Sequence, residues 1–307
     1  FIRVRKSDLE IPAATFEEVV VPMSESQRNL YDVLEERTMA GLNSEEDSLY
    51  LRKLRQAKII RLMQLATNPS LLKQSLGNVY DENGNPIQES DEDKAFISEI
   101  SQFTADEIPP KFIKAADIAE DIIKKGGKAV IWVNFIKNIL DLKDYLNSRG
   151  IATRELYGAT PVEDSSSDTE TSTFTREAIV QEFNSDNSSF NVILANPFAV
   201  AESISLHKKC HNAIYVERSF NAAHFIQSKD RIHRFGLPAG TETHYYYLIS
   251  ERSIDETINS RLKLKETRLN EIMESMPIPL FDNVLADGGS EDIKAILKDY
   301  AQRAKTI

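Results

Sequence analysis

Short, unbroken apolar runs recur through the second half of the chain, at "KAVIWV", "FNVILAN" and "HNAIYVE", each about one strand long. Between them the periodicity changes to that of helices, in "KFIKAADIAEDIIKKGG", "FIKNILDLKDYLNSRG" and "TFTREAIVQEFN". Strands that are apolar throughout are buried on both faces, and helices of ten or more residues between them are the length of a parallel crossover. With "IATRELYG" and "ETHYYYLI" as further strands, the pattern predicts an α/β fold: a parallel sheet covered by helices on both faces.

The first hundred residues read differently. "FEEVVVPMS" alternates apolar and polar residues as a strand, and Ser24 then caps a helix over "ESQRNLYDVLEERTM" with Leu30, Tyr31 and Leu34 on one side. A second helix, "DSLYLRKLRQAKIIRLMQLATNPSLL", keeps Leu51, Leu54, Ile59, Leu62 and Leu65 at helical spacing and is closed by Asn68 and Pro69. Arg52, Lys53, Arg55, Lys58 and Arg61 occupy its other positions, either as a solvated face or as a stripe turned to phosphates. Residues 77–95 are acidic and turn-rich, a connector, and "PVEDSSSDTETST" reads as a polar surface loop. The tail predicts a long charged helix in "SIDETINSRLKLKETRLNEIMESM" and one more in "SEDIKAILKDYAQRA".

Composition narrows the chemistry. The 307 residues are 41% hydrophobic, which suits a sizeable core, and the net charge of −11 argues against a general attraction to nucleic acid or anionic membrane. Any polyanion site must be local. The single cysteine, Cys210, excludes an internal disulfide and fits a reducing, cytoplasmic compartment. No apolar run reaches the roughly eighteen residues of a membrane span, so no membrane partner is expected. The opening "FIRVRKSDL" lacks a methionine, so a longer polypeptide is expected.

In parallel α/β sheets ligands gather where strands end and helices begin. Three such ends stand out: "VNF", "ANPFAVAESISL" and "ERSFNAAHFIQSKDRIHRFG". The last places Gln227, Arg231 and Arg234 at i, i+4 and i+7, with Lys229 and His233 between them. On a continuing helix Arg231 and Arg234 share a face, and two planar guanidiniums there suit a phosphate. A solvated or salt-bridged pair is the alternative. His207, His211, His224, His233 and His244 with Cys210 lack a second ligand pair at metal spacing, so no metal site is predicted. Trp132 reads as core, and Tyr245, Tyr246 and Tyr247 read as strand packing. "KKGGKAV" has neither the spacing nor the position of a phosphate-binding P-loop.

"QSKDRIHRFG" resembles motif VI of the Swi/Snf-like translocases within the superfamily-two helicases. The surroundings match in order: "KAVIWVNFIKNILDLKDYL" resembles the motif IV region, "LYGATP" the strand and turn after it, and "VILANPFAVAESISLHKKCHNAIYVERSFN" the motif V region. "SIDETINSRLKLKETRLNEIM" is similar to the bracing helix that follows, and the likeness runs from about residue 8 to residue 275. Val200, Ala201 and Ser203 stand where the family commonly has glycines, and Leu237 where it has glutamine. "ESISLHKKCHNAIYVERSFN" resembles a variant seen in bacterial members.

The resemblance implies a RecA-like C-terminal lobe at 109–250, an inter-lobe segment with a helical insertion and acidic connector at 1–108, and bracing helices at 251–307. It implies ATP and Mg2+ bound mainly by a first RecA-like lobe of the same polypeptide, which carries the Walker A loop. Gln227, Arg231, Arg234 and Glu202 would reach the nucleotide, with Arg231 and Arg234 catalytic, although Glu202 reads equally well as a solvated carboxylate. Asn134, Phe135, Asn196 and Ser205 would meet the backbone of double-stranded DNA through backbone amides and small polar groups. Protein partners in a multi-component system, antiviral defence among them, fit the bacterial variant. Two other readings stay open: a catalytically silent helicase-like scaffold, and an RNA helicase.

Overall fold

A computed structural model describes residues 11–40, 49–72, 98, 107–162, 175–200, 204–220, 222–237, 240–275 and 290–304. The connector at 77–95, most of the polar loop, and Glu202 lie outside the described residues, as do the side chains of Leu51, Arg52, Lys53, Leu54, Arg55 and Val200.

The apolar runs are strands β2 (Ala129–Trp132), β4 (Val192–Ala195) and β5 (Asn212–Tyr215). Together with β1 (Ala14–Val21), β3 (Thr153–Leu156) and β6 (Thr243–Ser250) they form a six-stranded sheet in the order β1-β6-β5-β2-β4-β3. The pairings β2 with β4, β2 with β5, β3 with β4 and β5 with β6 are parallel. Trp132 at the end of β2 lies opposite both Ala195 and Tyr215. Because β2 is central, the chain passes from it to β3, returns to β4 and then crosses to β5 on the other side. The reversal puts a topological switch point at the carboxyl ends of β4, β2 and β5.

Parallel neighbours need long crossovers, and the helices supply them. These are α3 (Pro110–Lys124), α4 (Ile136–Ser148), α5 (Arg176–Phe183), the one-turn α6 (Pro197–Val200) and α7 (Ala222–Lys229). Gly126 follows α3 at φ 77°, a left-handed turn that glycine adopts without a side-chain clash. α1 (Glu25–Ala40), α2 (Leu49–Thr67), α8 (Ile254–Ser275) and α9 (Ser290–Ala304) are further α-helices, and a short 3-10 turn, Pro69–Leu71, follows α2.

The chain divides into two compact units. One comprises Phe1–Val19, Lys114–Ser219 and Ala223–Leu248. Val130, Trp132, Leu194, Ile214 and Tyr215 are buried in it, and Trp132 stacks on Tyr215 with ring centroids 6.3 Å apart. Along β1 the alternation of exposure is confined to its last residues, with Val19 and Val21 buried. Phe16 breaks the expected pattern: it is 53% exposed and stacks on Tyr245 at 5.0 Å, as an edge strand permits.

The other unit comprises Val20–Ile113, Phe220–Ala222 and Ile249–Ile307. Polar groups fasten its helices. The Tyr31 hydroxyl, fully buried, meets the Tyr300 hydroxyl at 2.6 Å and accepts from Ile254 N–H at 2.8 Å. Burial pushes the Tyr31 phenol far above its ordinary range, so the hydroxyl stays protonated. Gln27 Nε2 donates to the carbonyls of Leu65 and Ala66, at 2.8 and 3.2 Å. Lys111, only 1% exposed, donates to Asp255 at 2.5 Å and to Thr67 Oγ1 at 3.4 Å.

Candidate functional site

Helix α7 ends at Lys229, so Arg231 and Arg234 do not continue a helical face; they lie in the turns beyond it. The local reason is a tightening of the backbone, with Arg231 N–H bonded to Ser228 O and Ile232 N–H to Lys229 O. The Arg231 carbonyl then accepts from Leu206 N–H at 3.0 Å, which carries the chain away from helical geometry. The two arginines consequently have different surroundings. Arg231 donates Nε–H to Gln227 O at 2.9 Å and Nη1–H to Ile204 O at 3.2 Å, tying the turn to the segment after α6. Arg234 is exposed, and NH1 approaches Ser205 Oγ at 3.4 Å.

Ser205 is itself held. Its hydroxyl meets His207 Nδ1 at 2.9 Å, and its carbonyl accepts from Asn184 Nδ2 at 3.0 Å. Gly236, at φ 97°, packs against the other edge of that ring, where an added Cβ would stand 3.3 Å from His207 Nε2. The structure thus joins Ser205, taken from the resemblance as a DNA contact, to Arg234, taken as a nucleotide contact.

The other predicted residues gather at the switch point. Asn196 caps α6, its Oδ1 accepting from Phe198 N–H at 2.9 Å and Ala199 N–H at 3.2 Å, while its Nδ2 donates to Asn134 O at 2.7 Å. Asn134 and Phe135 donate their N–H groups to Glu217 Oε2 at 2.8 and 3.0 Å. That corrects the expectation that these two residues offer backbone amides to DNA, since the amides are already engaged. The side-chain amide of Asn134 has no hydrogen-bond partner among the described residues.

Several participants were not singled out by sequence. Glu217 ends the apolar "NAIYV" run as a carboxylate where the strand pattern predicts more core; that break is the signal. Arg176, first residue of α5, donates to the carbonyls of Thr160, Tyr157 and Ala199 at 3.2, 3.2 and 3.3 Å, clasping the "LYGAT" turn to α6. Two buried cations stand at either end of α7: Arg218, just before it, lies over the Tyr247 ring at 4.4 Å, and Lys229, its last residue, lies over Phe16 at 4.7 Å and Phe225 at 5.4 Å. His233 Nε2 meets Pro12 O at 2.7 Å.

Among the described residues no group of three or more His, Cys, Asp and Glu is placed to hold a metal. Burial pushes the Cys210 thiol up to about 12, so it is not a thiolate ligand at neutral pH. Burial, and then Arg234 and Lys208, hold the His207 imidazole below its ordinary 6.5. The unfolded chain therefore takes up that proton more readily than the folded lobe. Stability is level above the unfolded value and falls as pH drops from it towards the lower folded value. His211 shifts in the same direction through burial, so both contribute. Replacing His207 by Gln should flatten, without abolishing, the fall in Tm between about pH 7 and pH 5. An unchanged slope in a pH series of melting curves would exclude His207 as a source.

Residues 114–236 match the family model of the helicase conserved C-terminal domain. Over 303 residues, 92% of this chain and 29% of the relative, the sequence is 25% identical to the SWI/SNF-related matrix-associated actin-dependent regulator of chromatin subfamily A containing DEAD/H box 1 homolog of Caenorhabditis elegans. It is 26% identical over 164 residues to Helicase SWR1 of Saccharomyces cerevisiae, covering 53% of this chain and 10% of that one. The chain thus spans less than a third of the length of either relative. Among solved structures, the C-terminal part of the Fun30 ATPase domain superposes with a TM-score of 0.58 at 17% identity, covering 95% of this chain and 99% of that one. The Sulfolobus solfataricus SWI2/SNF2 ATPase C-terminal domain gives 0.54 at 16% identity, covering 92% and 98%. The fold is that of RecA-like helicase C-terminal lobes, and the sequence relatives are named as helicases and as a SWI/SNF-related regulator of chromatin.

Proposed function

We propose that the chain is the second motor lobe of an ATP-dependent translocase on double-stranded DNA, completed by a first RecA-like lobe that binds most of the ATP and Mg2+. The observation that carries this reading is the separation of roles between the two arginines. Arg231 is turned inward to carbonyls that set the turn, whereas Arg234 is exposed beside Ser205, where a phosphate presented by another lobe would find it. A scaffold that had lost ATP coupling has no use for a guanidinium so placed. Arg234 would stabilise charge on the transferring phosphoryl group and Gln227 would help to place the nucleotide.

DNA contacts would come from Ser205 and from the loops that carry Asn134, Phe135 and Asn196, reading phosphate and not sequence, with the Asn196 side chain holding those loops from within. The relatives named as helicases and as a regulator of chromatin favour DNA over RNA as the track. A role in bacterial antiviral defence, with further protein partners, rests on the likeness of "ESISLHKKCHNAIYVERSFN" to bacterial variants, and a reducing, cytoplasmic setting on the single cysteine.

The chain by itself should release no phosphate from ATP above background, because the Walker A loop is not among its motifs. Its DNA binding should be weak, indifferent to sequence and lost steeply with salt. Both are read in one titration series: phosphate release, and binding to duplexes of unrelated sequence at rising salt. Tight, salt-resistant binding to a single sequence would replace the motor reading by a recognition module.

A further inference from the structure

Glu217 is 4% exposed, and a carboxylate so far from water is stable only when its oxygens are well partnered. Oε2 takes the N–H groups of Asn134 and Phe135, and Oε1 accepts from Asn138 Nδ2. The first turn of α4 has no side-chain cap of its own, since Phe135 stands at the capping position. Glu217, from the loop after β5, takes the two N–H groups just before the helix and sets its negative charge near the positive end of α4.

Asn134 is consequently gripped from two strands at once. Its N–H goes to Glu217 beyond β5, and its C=O accepts from Asn196 beyond β4. Asn196 in turn fixes the start of α6. The loops leaving β5, β2 and β4 therefore form one hydrogen-bonded lattice across the switch point. The lattice holds Asn134 by its backbone alone, and its buried side-chain amide has no hydrogen-bond partner among the described residues. On the far side of Glu217, α7 begins at Ala222 and leads to the arginine turn.

We infer that Glu217 is a positioning residue that links the arginine turn to the loops bearing Asn134 and Asn196, so that engaging the duplex raises the rate of ATP hydrolysis. The inference rests on the motor reading above. A shift of the segment after β5, where the arginines meet nucleotide, would move the Asn134 loop through two backbone hydrogen bonds. A duplex bound at that loop would favour one setting of the arginines by the same path, because coupling between two sites is reciprocal.

The test uses the full-length protein with and without duplex DNA, comparing wild type, Glu217→Gln and the double variant Glu217→Gln with Asn138→Asp. Glutamine keeps the size and one acceptor but turns an NH2 towards the NH2 of Asn138, opening the lattice. DNA-free turnover should stay within about twofold of wild type while stimulation by the duplex falls about tenfold, within the usual range of coupling between sites. In the double variant the introduced aspartate offers that NH2 an acceptor at the same net charge as wild type, so most of the stimulation should return. Full stimulation in a folded Glu217→Gln protein overturns the inference. Parallel loss of DNA-free and stimulated turnover with a lowered Tm in both variants also overturns it, by making Glu217 merely structural. A wild-type protein that hydrolyses ATP without response to duplex DNA would instead remove the motor reading, and the inference with it.

Discussion

Replacing Arg234 by Ala in the full-length protein should slow ATP hydrolysis by about a hundredfold or more while nucleotide affinity changes little, because a finger acts on charge that develops in the transition state. The exposed setting of Arg234 predicts a nearly unchanged Tm, since its side chain reaches Ser205 Oγ only at 3.4 Å. Arg234→Lys is the sharper comparison. It keeps the charge but loses the planar fork, so it should remain severely impaired if guanidinium geometry matters. Arg231→Ala should behave differently, lowering Tm together with turnover, because the carbonyls of Gln227 and Ile204 lose their donor. Wild-type turnover in a well-folded Arg234→Ala protein would remove the phosphate role.

The largest effect on stability is expected at Asp255. Lys111 is 1% exposed and donates to Asp255 at 2.5 Å, and Asp255 also accepts from Ser250 N–H at 3.0 Å. Asp255→Ala leaves a buried ammonium without its carboxylate, a change that costs about 3–5 kcal/mol in comparable buried pairs. Replacing both members with apolar residues of similar volume should cost much less, since no buried charge is then left uncompensated. Urea unfolding of the single and double variants distinguishes the two cases: equal losses in both would show that shape, and not charge, governs the site.

Much of the sheet was legible because burial on two faces writes itself as unbroken apolar runs. "AVIW" and "VILA" are the fully buried β2 and β4, and the helices between them fall where the period changes. The arginine turn was legible in residue types but not in geometry. The spacing of Arg231 and Arg234 fits a helical face, yet α7 stops at Lys229 and the Arg231 carbonyl goes to Leu206 N–H, a long-range contact that no local pattern encodes. Glu217 escaped for the same reason: its partners Asn134, Phe135 and Asn138 lie about eighty residues earlier and meet it only once β2 and β5 pair. Arg176 likewise reads as an ordinary first-turn residue until the "LYGAT" turn and α6 are brought to it.

The cations at the two ends of α7 give the arginine turn a tolerance its ligands would not share. Arg218 and Lys229 are 8% and 9% exposed and lie on the faces of Tyr247, Phe16 and Phe225. Mobile ions screen charges in water far more than charges sealed against aromatic rings. Raising the ionic strength should therefore strip nucleic acid from the lobe long before it loosens α7. A salt titration monitored at the duplex and at the Tyr and Phe resonances around Lys229 would show two separate transitions, and the first would measure phosphate contacts in a lobe that is still fully folded.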